Sequence, residues 1–329
     1  MNLHKNVILL VNLGSPTSLS VSAIRRFLCK FLSDRRVVNL PRLIWYPILY
    51  GIILPFRSRR LIHQYESIWQ DDKSPLVYYT ELQAKYLQQQ YFNTTSNVVV
   101  YHAFCYSDPE IKAVLADIHK QHSIDKLTVL PLYPQFSSTT TGAVFDLVAK
   151  FYSDKKEIPE LHFIRDFHVD KLYIKALAAS IQQSWQKNGR AKKLIFSYHS
   201  LPQAIIDEGD QYYQQCLATT FEVARQLELN SNDYIIAFQS KFGRQKWLSP
   251  STVDVLTKLA NDGTHSVDII CPGFVSDCLE TLEEISVTNK DLFIKHGGLK
   301  YQYIPCLNAN DGMIKLLYQI CHSCAGRNP

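Results

Sequence analysis

The chain has 329 residues, of which 46% are hydrophobic and 20% are charged, and its formal net charge is +5 at pH 7. That length is enough for two domains of roughly 150 residues each. The lysines and arginines are dispersed, which argues against a nucleic-acid partner, and no apolar run reaches the roughly 20 residues of a membrane-spanning helix. Eight dispersed cysteines without a secretory signal indicate reduced thiols and a cytoplasmic protein.

Strand-like apolar runs alternate with helical segments along the chain. In the first half we predict strands at 7–13, 97–104, 126–132 and 161–165, with helices at 20–32, 74–91, 109–121, 137–152 and 170–187. In the second half we predict strands at 193–197, 234–239, 267–271 and 301–304, with helices at 209–227, 250–259, 280–285 and 311–321.

This alternation predicts an α/β fold in which each sheet is mostly parallel and flanked by helices. The two halves resemble each other weakly, since VNLGSP near the start is echoed by SYHSLP in the second half. We therefore predict two similar Rossmann-like domains, at 1–155 and 156–329, with a ligand cleft between them. The terminal helix is expected to pack back on the first domain.

An uncharged stretch of 14 residues, LIWYPILYGIILPF, lies at 43–56 in the first domain. Two prolines and one glycine interrupt any long helix there. The stretch is either a buried helical connection or an exposed apolar lip that meets a membrane surface or an apolar ligand. Three arginines that could pair with lipid phosphates or ligand carboxylates follow it directly: Arg57, Arg59 and Arg60.

The stretch LIFSYHSLPQ, residues 194–203, carries the first candidate functional residue. Its apolar run ends in polar residues, and Pro202 then turns the chain. An open α/β sheet presents side chains in this way at the carboxyl edge of a strand, where such folds bind ligands. His199 is the titratable group at that edge, and it is either a capping residue or a catalytic group.

Three carboxylates lie near the start of a later helix. Asp277, Glu280 and Glu284 have i, i+3, i+7 spacing, which places them along one helical face. Such a row of carboxylates is either a solvated acidic surface or a path for cations. Cys278, about 100° around that helix, is predicted to point elsewhere. This helix follows a strand of the same domain as His199. We therefore expect the carboxylates to lie at the same sheet edge as His199. That combination suits a labile divalent metal, or a general base with a proton relay.

Several common motifs do not occur. No GxGxxG follows a strand and there is no GxxxxGK[ST], so no nucleotide site is predicted. There is also no GxSxG nucleophile elbow, which argues against an α/β hydrolase.

Six stretches, in this order, resemble the ferrochelatase family, whose members complete haem synthesis. They are LLVNLGSPTS from Leu9, SPLVYYTELQ from Ser74, LPLYPQFSSTTTG from Leu130, FSYHSLP from Phe196, FQSKFGRQKWLSPST from Phe238 and CPGFVSDCLETLEEI from Cys271. The resemblance covers essentially the whole chain. It matches the bacterial form better, because the chain starts almost at its first strand.

The resemblance implies a chelatase-type fold and a lyase that inserts Fe²⁺ into protoporphyrin IX, with release of two protons and no organic cofactor. It implies that His199 is catalytic and contacts the metal. Glu280 would be its acidic catalytic partner, and Glu284 would continue the metal-binding acidic row. It also implies porphyrin contacts at four positions: Tyr133, Trp247, Arg57 and Leu13.

Two departures from the family pattern stand out. Some members hold a [2Fe–2S] cluster on four cysteines, but here Ser138 occupies the loop position and only Cys321 and Cys324 lie near the C-terminus. Because a cluster needs four thiolates, we predict that none is bound and that the tail 321–329 is an unstructured extension. Cys105 stands where several relatives carry a larger, often basic, residue.

Three alternatives stay open. The chain could act on coproporphyrin, use another divalent metal, or be a non-catalytic haem or porphyrin carrier. The His199–Glu280 pair favours an enzyme, since a carrier has no use for acidic groups facing a base. Residues 43–56 are expected to make peripheral contact with the inner face of a membrane if the lip is exposed.

Overall fold

The fold is that of a computed structural model, which describes residues 5–93, 97–241, 243 and 245–325. Predictions that concern the first four residues, Phe242, Arg244, the Cys324 thiol and the last four residues lie outside the described part of the chain.

The chain divides into two compact units. The first comprises residues 1–133, 137–166 and 314–329, and the second comprises 134–136 and 167–313. The main division thus falls after residue 166, whereas the sequence placed it after residue 155. The difference arises because the strand at Glu160–Phe163 pairs with the first sheet, which carries the first unit past residue 155.

The first unit is built on a four-stranded parallel sheet. Its strands run in the order β2-β1-β3-β4, and all three pairings are parallel. Residues Val7 to Asn12 of β1 are all buried, as expected for a central strand covered on both faces. The strands are β1 (Lys5–Asn12), β2 (Val98–Phe104), β3 (Ile124–Pro131) and β4 (Glu160–Phe163).

The second unit repeats this topology. Its strands run in the order β6-β5-β7-β8, again with parallel pairing throughout. The central strand β5 is buried from Leu194 to Tyr198. The strands are β5 (Lys193–His199), β6 (Tyr234–Gln239), β7 (Ser266–Ile270) and β8 (Lys300–Ile304). The predicted class, two parallel α/β sheets flanked by helices, is confirmed.

Twelve α-helices occur in the described residues, together with two π-helical segments at Leu49–Ile53 and Glu280–Thr288. Serine caps that the sequence indicated are formed, since Ser20 and Ser74 accept hydrogen bonds from the backbone at the starts of α1 and α4. The α-helices are α1 (Val21–Leu32), α2 (Arg42–Ile48), α3 (Leu54–Ile68), α4 (Pro75–Phe92), α5 (Ile111–Gln121), α6 (Thr141–Tyr152), α7 (Lys171–Asn188), α8 (Gln203–Asp207), α9 (Tyr212–Gln226), α10 (Thr252–Asn261), α11 (Asn289–Lys295) and α12 (Asp311–Ala325).

The prediction that prolines and a glycine interrupt any long helix in the apolar stretch 43–56 is wrong. Helices α2 and α3 are joined without a break by the π-helical segment Leu49–Ile53. Pro47 and Pro55 each lack an N–H donor, and the change of hydrogen-bonding pattern between them lets the chain stay helical.

This helical run presents many of its apolar side chains to solvent. Leu49 and Leu54 are buried, whereas Leu43 is 93% exposed and Phe56 is 70% exposed. Of the two interpretations offered by the sequence, the exposed apolar lip therefore describes the structure better than a buried connection. None of the described helices is both long and apolar enough to cross a membrane.

The expectation of an unstructured tail at 321–329 is wrong for the first five residues of that stretch. Helix α12 continues to Ala325, so the first five residues of the stretch are helical. Cys321, the predicted last residue of this helix, is fully buried.

Candidate active site

The carboxyl edge of the second sheet is where the candidate functional residues gather. His199 is the last residue of β5 and lies in register with Gln239, the last residue of β6. After this edge the chain is held by the Ser200 N–H, which donates to the Gln239 carbonyl oxygen at 2.8 Å. Polar groups from neighbouring strands therefore converge at one end of the sheet, where open α/β folds bind ligands.

The His199 ring is partly buried and has a defined orientation. Its Nδ1 lies 2.7 Å from the Ser200 carbonyl oxygen, and its ring centroid lies 6.4 Å from that of Phe274. Because a carbonyl oxygen can only accept, Nδ1 must carry the proton in the neutral ring. The lone pair of the neutral imidazole is then on Nε2, which is the arrangement needed to accept a proton or to contact a metal.

Glu284 faces this edge from the π-helical segment Glu280–Thr288. Burial raises the pKa of its carboxyl group, while hydrogen bonds from Ser240 and the charge of a protonated His199 act in the opposite direction. The Ser240 N–H donates to Oε1 at 2.8 Å, and the Ser240 hydroxyl donates to Oε2. Glu284 is thus a positioned carboxylate that exchanges a proton more readily near neutral pH than an exposed glutamate would.

Glu280 stands at the start of the same segment. Its backbone carbonyl oxygen accepts a hydrogen bond from the Gln239 side-chain amide at 2.9 Å. Its charge adds to the burial that raises the pKa of Glu284. Within the second unit, Glu284 therefore lies close enough to His199 and Glu280 for the charges of both to affect its pKa.

Cys278 does not lie apart from this group, contrary to the prediction. Burial raises the pKa of its thiol, and the charge of Glu280 and a side-chain hydrogen bond with Glu280 raise it further. The thiol is therefore protonated at neutral pH and lies beside the Glu280 carboxylate. The prediction assumed α-helical angles from residue 277 onward, whereas the chain forms a π-helix from Glu280.

Asp277 is not part of the acidic row that the spacing predicted. Its side chain is only 3% exposed and accepts from Tyr303, from Asn308 at 2.7 Å and from Thr281 at 3.0 Å. Such a fully bonded carboxylate ties β8 and the following loop to the start of the π-helix. Asp277 is therefore a structural residue, and the acidic row is reduced to Glu280 and Glu284.

The described residues contain no group of three or more His, Cys, Asp and Glu side chains arranged to hold a metal ion. A metal at His199, Glu280 and Glu284 therefore has no preformed cage in the part of the chain that the structure describes.

The predicted porphyrin contacts are divided between the units. Leu13 directly follows β1, Tyr133 lies two residues after the end of β3, and Arg57 lies on α3. Trp247 belongs to the second unit and forms a β-bridge with Pro202, three residues after His199. Only Trp247 can thus be placed at the same sheet edge as His199.

Two of these aromatic residues have buried polar atoms without a partner. The Tyr133 hydroxyl and the Trp247 indole nitrogen make no hydrogen bond to any described residue. Burial also raises the pKa of the Tyr133 hydroxyl well above its usual range, so this group stays neutral. Buried donors usually find a partner, and a polar ligand atom would supply one.

The sequence analysis missed Gln239 and Ser240 as functional candidates. In the motif FQSK, Gln239 ends β6 opposite His199, and Ser240 directly follows the strand. Polar residues at the end of a second neighbouring strand were the available signal, because parallel strands end at the same edge.

Comparisons with known proteins agree with this architecture. The ferrochelatase family model matches residues 5–324. A ferrochelatase of Aliivibrio fischeri is 44% identical over 98% of both chains, and a ferrochelatase of Escherichia coli O139:H28 is 43% identical over 96% of this chain and 98% of its own. One of Herminiimonas arsenicoxydans is 44% identical over 97% of this chain and 86% of its own.

Among solved structures, SirB from Bacillus subtilis with Fe³⁺ has a TM-score of 0.57 and 10% sequence identity, and the match covers 98% of both chains. A SirB structure from Bacillus subtilis subspecies spizizenii in complex with cobalt, described as a sirohydrochlorin chelatase, has a TM-score of 0.56 and 12% identity. The match covers 98% of this chain and 95% of that one. At such low identity these likenesses concern the fold alone. The sequence relatives and the family model extend over nearly the whole chain, and the protein belongs to the ferrochelatase family.

Proposed function

We propose that this chain is a ferrochelatase, a lyase that inserts Fe²⁺ into protoporphyrin IX and releases two protons in forming haem. Iron is a substrate of this reaction, and no organic cofactor or nucleotide takes part. The observation that carries the proposal is the orientation of His199, whose Nδ1 bonds to the Ser200 carbonyl oxygen and leaves Nε2 free to act near Glu284 and Glu280 at the ligand-binding edge of the sheet. Metal insertion needs such a site, because each pyrrole proton must leave as a metal–nitrogen bond forms.

In this proposal His199 uses its one Nε2 lone pair in turn, to contact the iron and to accept a pyrrole proton. The hydrogen bond from Nδ1 to the Ser200 carbonyl keeps the ring in the tautomer that can do so. It would also stabilise the imidazolium formed by proton transfer, because a positively charged donor makes a stronger hydrogen bond.

Glu280 and Glu284 are proposed to deliver the metal and to drain protons. The raised pKa of Glu284 suits a group that takes a proton from a protonated His199 and passes it on near neutral pH. Carboxylate oxygens also suit the passage of a divalent cation that must leave again quickly, since they bind less tightly than a closed cage.

The proposed porphyrin contacts are Tyr133, Trp247, Arg57 and Leu13. A porphyrin is large, flat and apolar with propionates at one edge, so aromatic and aliphatic walls and a cation suit it. The unpartnered polar atoms of Tyr133 and Trp247 support a ligand with polar groups near these rings.

We propose further that no [2Fe–2S] cluster is held. Ser138 stands at the loop position where a cluster-binding relative carries a cysteine, and a serine hydroxyl does not replace a thiolate ligand. An iron and sulfide determination on protein purified without oxygen tests this, and stoichiometric sulfide would overturn it.

Metallation of porphyrin by the purified protein tests the main proposal. Anaerobic Fe²⁺, or Zn²⁺ as a stable substitute, is mixed with protoporphyrin IX, and the change in the visible absorption bands is followed. Coproporphyrin III and Co²⁺ are tested in parallel, since a higher kcat/KM with either would assign a different specificity. A protein that binds porphyrin but metallates none of these mixtures would be a carrier and would refute the proposal.

The exposed apolar lip, residues 43–56, is proposed to make peripheral contact with a membrane surface. Many of its apolar side chains, Leu43 and Phe56 among them, face solvent, and the exposed cations Arg59 and Arg60 follow, a combination suited to an anionic interface. We expect Leu43→Glu with Phe56→Glu to reduce co-sedimentation with anionic lipid vesicles. Leu299→Glu removes an equally exposed apolar residue of the second unit and should leave it unchanged, whereas equal binding by both variants would refute membrane contact through the lip.

A further inference from the structure

Gln239 is a buried polar residue at the candidate site whose side-chain amide forms hydrogen bonds through both its oxygen and its nitrogen. It is only 2% exposed. Its Oε1 accepts from the Ser197 hydroxyl at 2.8 Å and from the Cys271 thiol at 3.5 Å. Its Nε2 donates to the Glu280 carbonyl oxygen at 2.9 Å. One amide thus links β5, the end of β7 and the first residue of the π-helix.

These partners settle which way the amide faces. A thiol and a hydroxyl can both donate, and a backbone carbonyl can only accept. The oxygen of Gln239 must therefore face Ser197 and Cys271, and the nitrogen must face Glu280. The reversed orientation would place two acceptors against each other next to Glu280.

The backbone of Gln239 is linked to His199 through Ser200. Its carbonyl oxygen accepts from the Ser200 N–H at 2.8 Å, and the Ser200 carbonyl in turn accepts from His199 Nδ1 at 2.7 Å. Orientation of the imidazole therefore depends on the peptide that Gln239 holds. The same residue holds Glu280 through its side chain, so it spans the two groups proposed to do the chemistry.

We propose that Gln239 is a positioning residue that sets the spacing between His199 and Glu280 and so controls metal transfer. This inference rests on the proposed function. The Glu280 segment is π-helical, and π-helical segments are rare and frequently occur at functional sites. A side-chain donor from a rigid strand is suited to hold its first carbonyl in place. Displacement of a reacting group by about 1 Å can cost about a hundredfold in rate.

Gln239→Leu keeps the volume close to that of glutamine but removes the donor to Glu280. We expect kcat/KM for Zn²⁺ to fall by about ten- to a hundredfold, since the metal-side carboxylate is displaced. The KM for porphyrin should stay within about threefold of the wild-type value, because the amide bonds to Ser197, Cys271 and Glu280 and to none of the predicted porphyrin contacts. If Gln239 contributed only to the stability of the fold, its loss would not lower kcat/KM for Zn²⁺ while leaving the KM for porphyrin unchanged.

Gln239→Glu provides a test within one protein. When protonated, the new carboxyl group can donate to the Glu280 carbonyl in place of the amide. When ionised, it offers only acceptors and repels the carbonyl and the nearby Glu284 carboxylate. The activity of this variant relative to wild type should therefore fall as pH rises. The activity of Gln239→Leu relative to wild type should not change with pH.

Thr252→Val is the matched control. The Thr252 hydroxyl bonds to Ser197 at 2.8 Å in the same buried network but makes no contact with Glu280. We expect lower thermal stability with kcat/KM for Zn²⁺ within about threefold of wild type.

Wild-type kinetics in Gln239→Leu, or an equal loss in Thr252→Val, would overturn the inference while leaving the proposed function intact. If Gln239→Leu does not fold, the pH dependence of Gln239→Glu decides the question. A wild-type protein that fails to metallate any porphyrin would remove the proposed function, and this inference with it.

Discussion

The hydroxyl of Ser240 is predicted to control the protonation of Glu284. It donates to one carboxylate oxygen of Glu284, while the Ser240 N–H donates to the other at 2.8 Å. Ser240 also has a φ of 65°, in the left-handed region. Replacement by glycine therefore removes the hydroxyl and leaves a residue that adopts this backbone conformation readily.

The size of the effect follows from the bond that is lost. A hydrogen bond to a charged group contributes about 1.5–3 kcal/mol, and the backbone donor stays in place in the variant. Loss of the hydroxyl disfavours the ionised form of Glu284 by that amount, a factor of about ten to a hundred in the ionisation equilibrium. Burial already raises the pKa of Glu284, and Ser240→Gly should raise it further.

The assay is the pH dependence of kcat for zinc insertion. If Glu284 must be ionised to drain protons, activity rises with pH through its pKa, and in Ser240→Gly that rise should occur at higher pH. Ser251→Ala is the control, since Ser251 caps α10 by accepting from the Asp254 N–H at 3.1 Å. The control should lose about 1 kcal/mol of stability without moving the profile. A profile for Ser240→Gly that coincides with the wild-type profile would refute this account of Glu284.

Three further predictions concern the site and the fold. His199→Ala should lower kcat by about a hundred- to ten-thousandfold with little change in porphyrin affinity measured by fluorescence quenching, and a wild-type rate would contradict its proposed role. Glu284→Gln should gain stability relative to wild type as pH rises, because the raised pKa of Glu284 means that the folded wild type loses stability between the ordinary glutamate pKa and the folded value. Urea unfolding at several pH values measures this difference, and a pH-independent difference would rule out the raised pKa. Ser74→Ala should cost about 1 kcal/mol in the same experiment by removing the N-cap of α4, with no effect on catalysis, and an unchanged midpoint would show that the cap contributes nothing.

The sequence carried enough information to determine the elements and the class of fold. Apolar runs such as 7–13 and 234–239 predicted strands to within a residue or two. For β1 the reason is that a central strand buried on both faces needs an uninterrupted apolar run. Serine residues placed before helical patterns predicted the starts of α1 and α4, because the cap is a local interaction. The position of His199 at a strand end followed from the same local reasoning.

Only the tertiary structure decided the surroundings of that histidine. The helical spacing grouped Asp277 with Glu280 and Glu284, but the partners that bury Asp277 come from residues 303 and 308, far along the chain. The bonds from Gln239 and Ser240 to the π-helix likewise join residues more than 40 positions apart. Periodicity describes which residues share a face of one element, whereas a hydrogen bond across elements depends on how they pack. The residues proposed to carry the chemistry could therefore be chosen from the sequence. Their geometry could not, because it depends on contacts between elements that are distant along the chain.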